Sequence, residues 1–286
     1  MYVSMKKMLE DANANGYAVM AINCFNLETA RSVIRAAEEE NAPIIINIYK
    51  DHLLTHSDSE LITPIVRTLA ERAKVNVCLN LDHGEEKWYL KKAIDDGFSS
   101  VMVDASRFDL AENIEMTREI ADYAHAHGAS AEGEIGCLGA SEGGAFTKDS
   151  MYTDPTQAKE FVEKTGVDAL AISIGTSHGN YPDGMVPNFD IERLKEIKRL
   201  TGAALVLHGG SGSGEENILN SVKYGINKIN VGCDFMNANR DAAAKLLAEN
   251  PDINYFDLIH QTEQEARKIV KYYIGLSGSK GKNKNL

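Results

Sequence analysis

Apolar runs of six or seven residues recur along the chain and alternate with longer amphipathic stretches. Most of these runs are almost continuously apolar, which is typical of strands buried on both faces of a parallel sheet. The pattern therefore predicts eight β-strands. They are expected at Tyr17–Asn23, Pro43–Tyr49, Val75–Leu81, Ser99–Asp104, Ala129–Ile135, Asp168–Ile174, Ala203–His208 and Ile226–Val231.

The stretches between these runs space their apolar residues as an amphipathic helix does. Helices are expected at Leu27–Asn41, Ser59–Lys74, Glu85–Asp96, Ala111–His127, Pro155–Thr165, Ile191–Leu200 and Glu215–Tyr224. Eight β/α units in about 250 residues predict an α/β fold, a single (β/α)8 TIM barrel. A doubly wound open sheet is the alternative, but the chain lacks an early G-x-G-x-x-G motif, which favours the barrel.

Two segments depart from this alternation. Gly136–Asp154, after the fifth strand, is long, polar and rich in glycine. Loops of this length in a compact domain are usually lids or binding loops, so we expect a mobile loop here. Residues 278–286 are polar and rich in lysine and glycine, which predicts a disordered tail beyond a barrel domain at 1–277.

Composition narrows the possible roles of the 286-residue chain. Its formal net charge of −12 argues against nucleic-acid binding, which needs a basic face. Its apolar runs are far shorter than the roughly 18 residues of a membrane helix, and its N-terminus starts an amphipathic helix rather than a signal peptide. The four cysteines lie far apart, which argues against a disulfide framework. We therefore expect a cytoplasmic protein without nucleic-acid or membrane partners.

Three histidines stand at the carboxyl-terminal ends of predicted strands, where barrel enzymes have their active sites. His83, His178 and His208 follow strands 3, 6 and 7, and each is followed by glycine. One such histidine alone would more often be a structural residue, but three converging on one mouth predict a catalytic Zn²⁺ site with an open fourth position. Asp82, beside the first ligand, is placed to move a proton on a metal-bound substrate.

Two further carboxylates, Asp104 and Glu134, point at the same mouth. They either orient the metal ligands or offer the metal a second position. Both interpretations stay open from the sequence.

The turn Gly209-Gly210-Ser211-Gly212 leads into a predicted helix. Backbone N–H groups in such a turn bind phosphate without lysine or arginine, and the loops after strands 7 and 8 form the usual phosphate site of a barrel. Zinc, a phosphate cradle and a carboxylate base predict aldol cleavage of a phosphorylated carbonyl compound. A metal-dependent sugar-phosphate isomerase or epimerase remains open, and a sugar-phosphate sensor without catalysis is disfavoured.

Seven motifs carry a resemblance to a known family. They are AINCFNLETA (21–30), NLDHG (80–84), VMVDAS (101–106), GEIGCLGASEGG (133–144), AISIGTSHGNY (171–181), LVLHGGSGS (205–213) and KYGINKINVGCDF (223–235). Over about residues 3–275 the chain resembles the zinc-dependent class II ketose-bisphosphate aldolases of the fructose and tagatose type. This resemblance implies a lyase of carbohydrate metabolism and glycolysis that releases dihydroxyacetone phosphate, and a homodimer or homotetramer.

The resemblance also implies residue roles. Zinc would bind His83, His178 and His208, with Glu134 and Asp104 either orienting these ligands or offering alternative metal positions. Asp82 would be the acid/base at the aldehyde-derived oxygen, and Glu142 would exchange the proton at the dihydroxyacetone-phosphate carbon. A monovalent cation (Na⁺ or K⁺) would sit near Gly179 and Gly209. The implied substrate and phosphate contacts are Asn23, Gly179, Gly209, Gly210, Ser211, Asn230, Val231, Gly232, Cys233 and Asp234.

The chain departs from the family pattern in three places. Cys233 stands where the family usually has Thr or Ser. Glu263 aligns with a basic residue that reaches the distal phosphate, and Arg267, one turn away, is the predicted substitute. The end of the second strand, with Tyr49, Lys50 and His52, is not small and glycine-rich. An acid would repel a distal phosphate, so a ketose 1-phosphate with a deoxy or acidic distal group rivals the bisphosphate as substrate.

Overall fold

A computed structural model describes residues 1–136, 152–176 and 186–284 of the chain. Its eight parallel strands pair in chain order and close into a barrel, as predicted. The predicted loop after the fifth strand lies mostly outside the described residues, as do Glu142, His178 and Gly179. The strands are β1 (Val19–Asn23), β2 (Ile44–Tyr49), β3 (Val77–Gly84), β4 (Ser100–Val103), β5 (Ser130–Ile135), β6 (Ala169–Ile172), β7 (Leu205–Leu207) and β8 (Ile226–Val231).

Helices lie outside the strands, and those predicted are confirmed within one or two residues at most ends. Two long helices after β8, α10 and α11, were not among the predicted elements. The helices are α1 (Met5–Asn15), α2 (Leu27–Glu39), α3 (Lys50–His52, continuing into a π-helical turn at Leu53–Ser57), α4 (Asp58–Arg72), α5 (Lys87–Asp95), α6 (Leu110–Ala126), α7 (Pro155–Thr165), α8 (Ile191–Thr201), α9 (Glu215–Lys223), α10 (Cys233–Glu249) and α11 (Tyr255–Leu276).

Side chains of each strand alternate between two apolar layers. In β1, Met20 and Ile22 belong to the layer between the sheet and the outer helices. Val19 and Ala21 instead pack inside the barrel, in one cluster with Met5 of α1. This alternation follows from the two-residue repeat of a strand, and it explains why the strands are apolar on both faces. Helix α1 therefore fills the amino-terminal end of the barrel.

An irregularity at the end of β3 places two adjacent side chains at the carboxyl-terminal mouth. The pairing of β3 with β4 shifts between Leu81 and Gly84. His83 within this shift has φ of 55°, the left-handed region that costs a non-glycine residue about 1–3 kcal/mol. In a regular strand, Asp82 and His83 would point to opposite faces. The shift lets both reach the polar groups of the mouth.

The predicted tail makes specific contacts over residues 278–284, the part of it that the structure describes, and its disorder stays a prediction. The Gly281 N–H donates to the Glu40 carbonyl at 2.9 Å. The side-chain oxygen of Asn283 accepts from the Asn76 N–H at 2.8 Å. These polar residues find backbone partners at the amino-terminal face of the barrel, which offsets the entropy lost on ordering. No helix in the described ranges is long and apolar enough to cross a membrane.

Candidate active site

Asp82, His83 and His208 meet at the carboxyl-terminal mouth of the barrel. One possible ligand atom from each lies within 4.8 Å of the others, and all three residues are buried or nearly so. They come from β3 and from the turn after β7, which are not neighbours in the closed barrel but end at the same mouth. The predicted convergence of these three residues is thus observed, while His178 lies outside the described residues.

The outer hydrogen bonds of the two imidazoles fix which nitrogens face the centre. His83 Nδ1 lies 2.7 Å from Asp104 Oδ2, and His208 Nε2 lies 2.9 Å from Glu132 Oε1. An ionised carboxylate only accepts, so each of these nitrogens carries the proton. His83 Nε2 and His208 Nδ1, the nitrogens left for a ligand, then lie 3.1 Å apart. Two nitrogens bound to one tetrahedral zinc at about 2.0–2.1 Å are about 3.3 Å apart, so the pair fits a metal ion.

A second group of possible ligands shares His83. His83, Asp104 and Glu134 also bring ligand atoms within 4.8 Å of one another. Glu134 Oε2 is buried, and it has no hydrogen-bond partner among the described residues. Burial, and then the charge of Asp104, raise the pKa of the Glu134 carboxyl well above its usual value. A cation beside Glu134 would favour the ionised carboxylate, so this group suits an alternative metal position.

The Asp82 carboxylate is held in a fixed orientation. Its Oδ2 accepts from Asn23 Nδ2 at 2.9 Å and its Oδ1 from Asn230 Nδ2 at 3.1 Å. Burial alone would raise the pKa of Asp82, but the imidazoles of His83 and His208 outweigh burial and lower it. Asp82 is therefore an ionised, oriented base. The two asparagines, predicted as substrate contacts, orient this base in the structure.

The electrostatic field of the mouth favours a cation. Burial opposes a charged His83, but Asp82, and then Asp104 and Glu134, outweigh it and raise the pKa of His83 to about 10. Burial instead lowers the pKa of His208. The acidic groups around His83 thus attract a positive charge, which either a proton or a metal ion can supply.

The glycine-rich turn after β7 packs tightly against β8. The Gly210 N–H donates to the Asn230 carbonyl at 3.0 Å, and a Cβ on Gly210 would lie 2.8 Å from that same oxygen. The Gly212 N–H donates to Asp234 Oδ2 at 3.2 Å, and Tyr273 donates to the same carboxylate oxygen. Asp234, predicted as a phosphate contact, therefore braces the turn in this structure.

The start of α10 lies beside that turn. Its N-cap is Gly232, and Cys233 is its first residue. The Asp234 N–H donates to Ser211 Oγ at 3.2 Å, which joins the helix start to the turn after β7. The partial positive charge of a helix N-terminus favours an anion here without a basic side chain.

The same sequence features recur in known proteins. The family model for class II fructose-bisphosphate aldolases matches residues 3–282. The chain belongs to the class II fructose-bisphosphate aldolase family. It is 38% identical over 253 residues to a fructose-bisphosphate aldolase of Staphylococcus epidermidis, covering 88% of each chain.

Solved structures give the same result for the fold. The YdjI aldolase of Escherichia coli K12 superposes with a TM-score of 0.88 at 33% identity, covering 99% of this chain and all of that one. Fructose-bisphosphate aldolase of Campylobacter jejuni gives 0.84 at 25% identity, covering 99% and 97%. This chain is thus a class II aldolase, a carbon–carbon lyase of a family that uses a divalent metal.

The residues at the end of β2 and just after it lie near the mouth of this aldolase. The Tyr49 ring centroid is 6.1 Å from that of His83 and 5.6 Å from that of His52. His52 Nδ1 is buried without a hydrogen-bond partner among the described residues. Lys50 Nζ lies 3.4 Å from Glu85 and 3.3 Å from Glu86, so nearby carboxylates neutralise its charge.

The predicted role of Glu263 is corrected by its contacts. Glu263 is 2% exposed, and its carboxylate forms a two-point ion pair with Arg31 of α2. Arg267, predicted as its substitute, pairs with Glu39 of the same helix at 3.0 Å. Glu263 therefore ties α11 to α2 with its charge compensated. Its charge is therefore not free to repel a distal phosphate, and a missing positive charge at the distal end stays a prediction.

Two residues of the site had no role in the sequence analysis. Glu132 of β5 and Lys228 of β8 are both fully buried, and Lys228 Nζ donates to Glu132 Oε2 at 2.6 Å. The strand repeat of two was the available signal, since Glu132 shares a face with Glu134 and Lys228 with Asn230. Charged residues on the inner face of an apolar strand are rarely buried unless paired.

Proposed function

We propose that this protein catalyses metal-dependent, reversible aldol cleavage of a phosphorylated ketose to dihydroxyacetone phosphate and an aldehyde. Its substrate is a bisphosphate of the fructose or tagatose 1,6-bisphosphate type. The observation that carries the proposal is the convergence of His83 Nε2 and His208 Nδ1, 3.1 Å apart, beside the oriented Asp82 carboxylate.

The metal of this proposal is zinc. His83, His208 and His178 would hold it, and His178 lies outside the described residues. When bound, zinc polarises the substrate carbonyl and stabilises the negative charge that develops on oxygen. Neutral imidazole donors with one open position match the ligand set of catalytic zinc.

The chain's own residues move the protons. Asp82 is ionised and held by two amide donors, which suits a group that exchanges a proton at the aldehyde-derived oxygen. Glu142 is proposed as the acid/base at the dihydroxyacetone-phosphate carbon. Asp104 holds His83 in the tautomer whose Nε2 faces the metal.

Substrate binding is proposed at the turn after β7 and at the start of α10. Gly209, Ser211, Gly232 and Cys233 would receive the first phosphate there, assisted by a Na⁺ or K⁺ ion near Gly179. The helix N-terminus supports this placement. A homodimer or homotetramer and a cytoplasmic location remain predictions.

A ketose 1-phosphate with another distal group is the second proposed substrate class. It is favoured by the pairing of Lys50 and Arg267 with carboxylates, because neither cation is then left for a distal phosphate. His52, with its buried nitrogen, would instead meet an uncharged distal group.

Substrate profiling of the purified, zinc-loaded protein tests these proposals. Fructose and tagatose 1,6-bisphosphates, ketose 1-phosphates and their deoxy and acidic analogues are compared while the released aldehyde is trapped. We expect aldehyde release, fastest from a bisphosphate. Fastest release from a 1-phosphate would select the second class, and isomerised ketose without aldehyde would contradict an aldolase. Activity that survives complete metal removal would contradict the metal mechanism.

A further inference from the structure

A chain of three buried groups crosses the interior of the barrel below the metal site. Lys228 Nζ donates to Glu132 Oε2 at 2.6 Å, and Glu132 Oε1 lies 2.9 Å from His208 Nε2. The side chains of Lys228 and Glu132 are 0% exposed and that of His208 is 1% exposed. Strands β5 and β8 are not neighbours in the barrel, so this contact passes through its interior. Water is not available to replace either partner.

Lys228 sets the direction of the hydrogen bonds that link these three side chains. An ammonium group only donates and a carboxylate only accepts, so Glu132 receives one bond from Lys228 and one from His208. His208 must then carry its proton on Nε2. Asn230 Nδ2 also lies 3.4 Å from that nitrogen, but its stronger bond is to Asp82 at 3.1 Å. The carboxylate at 2.9 Å therefore decides the tautomer.

We propose that Lys228 is a positioning residue for the metal site: it fixes the oxygen of residue 132 and thereby keeps the proton of His208 off Nδ1, the nitrogen that faces His83. Lys228 does not touch the metal or the substrate. Its effect is transmitted through Glu132, and it rests on the proposed role of His208 as a metal ligand.

A glutamine at position 132 exposes this effect. In Glu132→Gln, Lys228 can bond only to the single amide oxygen, so the amide NH₂ is turned toward His208. His208 Nε2 must then accept, and its proton moves to Nδ1, where it blocks the metal. Once Lys228 is also replaced by methionine, the glutamine is free to turn its oxygen to His208. The second substitution should therefore restore the metal-binding tautomer.

The experiment measures zinc affinity by competition with a chromophoric chelator for the wild type, Glu132→Gln and the double variant Glu132→Gln/Lys228→Met. We expect zinc affinity to fall about 10–100-fold in Glu132→Gln, as for other residues that orient a ligand. It should recover to near the wild-type value in the double variant. Double-variant affinity equal to or below that of Glu132→Gln, or wild-type affinity in Glu132→Gln, would overturn the proposal.

A second measurement does not depend on the double variant folding. In the metal-free Glu132→Gln protein, ¹⁵N–¹H spectra of the His208 ring should show the proton on Nδ1, whereas the wild type shows it on Nε2. Retention of the Nε2 proton would overturn the proposal. Failure of the wild type itself to bind zinc would instead refute the proposed function, so the two failures are distinguishable.

Discussion

The same three kinds of side chain meet at opposite ends of the barrel. At the amino-terminal end, Asp168 lies 2.8 Å from His125 Nε2 and 3.1 Å from Lys6 Nζ. Below the mouth, Glu132 lies 2.9 Å from His208 Nε2 and 2.6 Å from Lys228 Nζ. The distances and the chemistry are nearly the same. We call these sets the lower triad (Asp168, His125, Lys6) and the upper triad (Glu132, His208, Lys228).

The two triads differ in their access to water. The side chains of His125 and Lys6 are 36% and 53% exposed, whereas those of His208 and Lys228 are 1% and 0% exposed. Water can replace a lost partner in the lower triad but not in the upper one. The upper imidazole also turns its second nitrogen toward His83, another proposed ligand. The two triads contain the same kinds of residue. Burial, and the approach of the second His208 nitrogen to His83, therefore distinguish the pair at the proposed metal site.

The largest test replaces the histidine of each triad. His208→Ala should lose zinc and with it turnover, because it removes a metal ligand; the affinity loss should exceed the roughly 10–100-fold expected for residues that only orient a ligand. His125→Ala should keep both, since His125 is partly exposed and contacts no proposed metal ligand. Zinc content per chain and kcat of both variants check this. Zinc retained at full occupancy in His208→Ala would break the comparison.

The next test concerns carboxylates. Asp82→Ala should lower kcat by about 10²–10⁴-fold, the usual contribution of a general acid/base, while zinc stays bound. Asp168→Ala, the same change at the other end, should leave kcat unaltered. Kinetics and metal analysis on the folded variants decide the matter. Persistent turnover in Asp82→Ala would remove its proposed role, and loss of zinc would make it a ligand instead.

A smaller effect is expected on stability. Asp168→Asn should lower the free energy of unfolding by about 1–3 kcal/mol, because Asp168 also accepts from the Ala131 N–H at 2.9 Å and its side chain is buried. Zinc affinity should not change, in contrast to Glu132→Gln. Urea unfolding and chelator competition measure the two quantities. A change in zinc affinity would show that the lower triad reaches the metal site.

The smallest expected effect is a pH dependence near the amino-terminal end. Lys198 donates to three uncharged oxygens, and burial lowers its pKa to about 8. Between about pH 8 and the unfolded value near 10.4, the unfolded chain binds the extra proton, so stability should rise with pH in this window. Below pH 8 the cost of burying the charge is fully present.

Urea unfolding of the wild type and Lys198→Met between pH 7 and pH 11 isolates this contribution. The difference in unfolding free energy between the two proteins should move in favour of the wild type as pH rises. A constant difference would mean that the Lys198 pKa is not lowered in the folded protein. Because the metal site lies at the other end, kcat of the variant should match the wild type.

Sequence alone predicted the parts of this fold that depend on local pattern and topology. Most strands are almost continuous apolar runs, since both faces of a closed parallel barrel are buried. The meeting of Asp82, His83 and His208 followed from the strand count, because every parallel strand ends at the same mouth. Neither prediction required knowing which residues far apart in the sequence contact each other.

Partners of buried charges could not be predicted in this way. Glu263 pairs with Arg31, 232 positions away, and only the rotation of α11 against α2 brings them together. Lys228 and Glu132 are 96 positions apart. Strand alternation indicates that such charges face inward, but it does not specify which opposite charge they meet. The left-handed backbone at His83 likewise follows from the shifted pairing of β3, which no local pattern encodes.

Helix α1 has a consequence for the order of events in catalysis. Because Met5, Met8 and Leu9 pack inside the lower barrel, the described residues close its amino-terminal end, and the proposed metal ligands lie at the mouth. If the metal ion and the sugar phosphate both enter through the mouth, we expect ordered binding. The ion would bind first and dissociate last. Bound sugar phosphate would then block release of the ion, so the residence time of the ion should lengthen with substrate concentration. A chelator should therefore remove the ion faster from the substrate-free enzyme than from the enzyme during turnover.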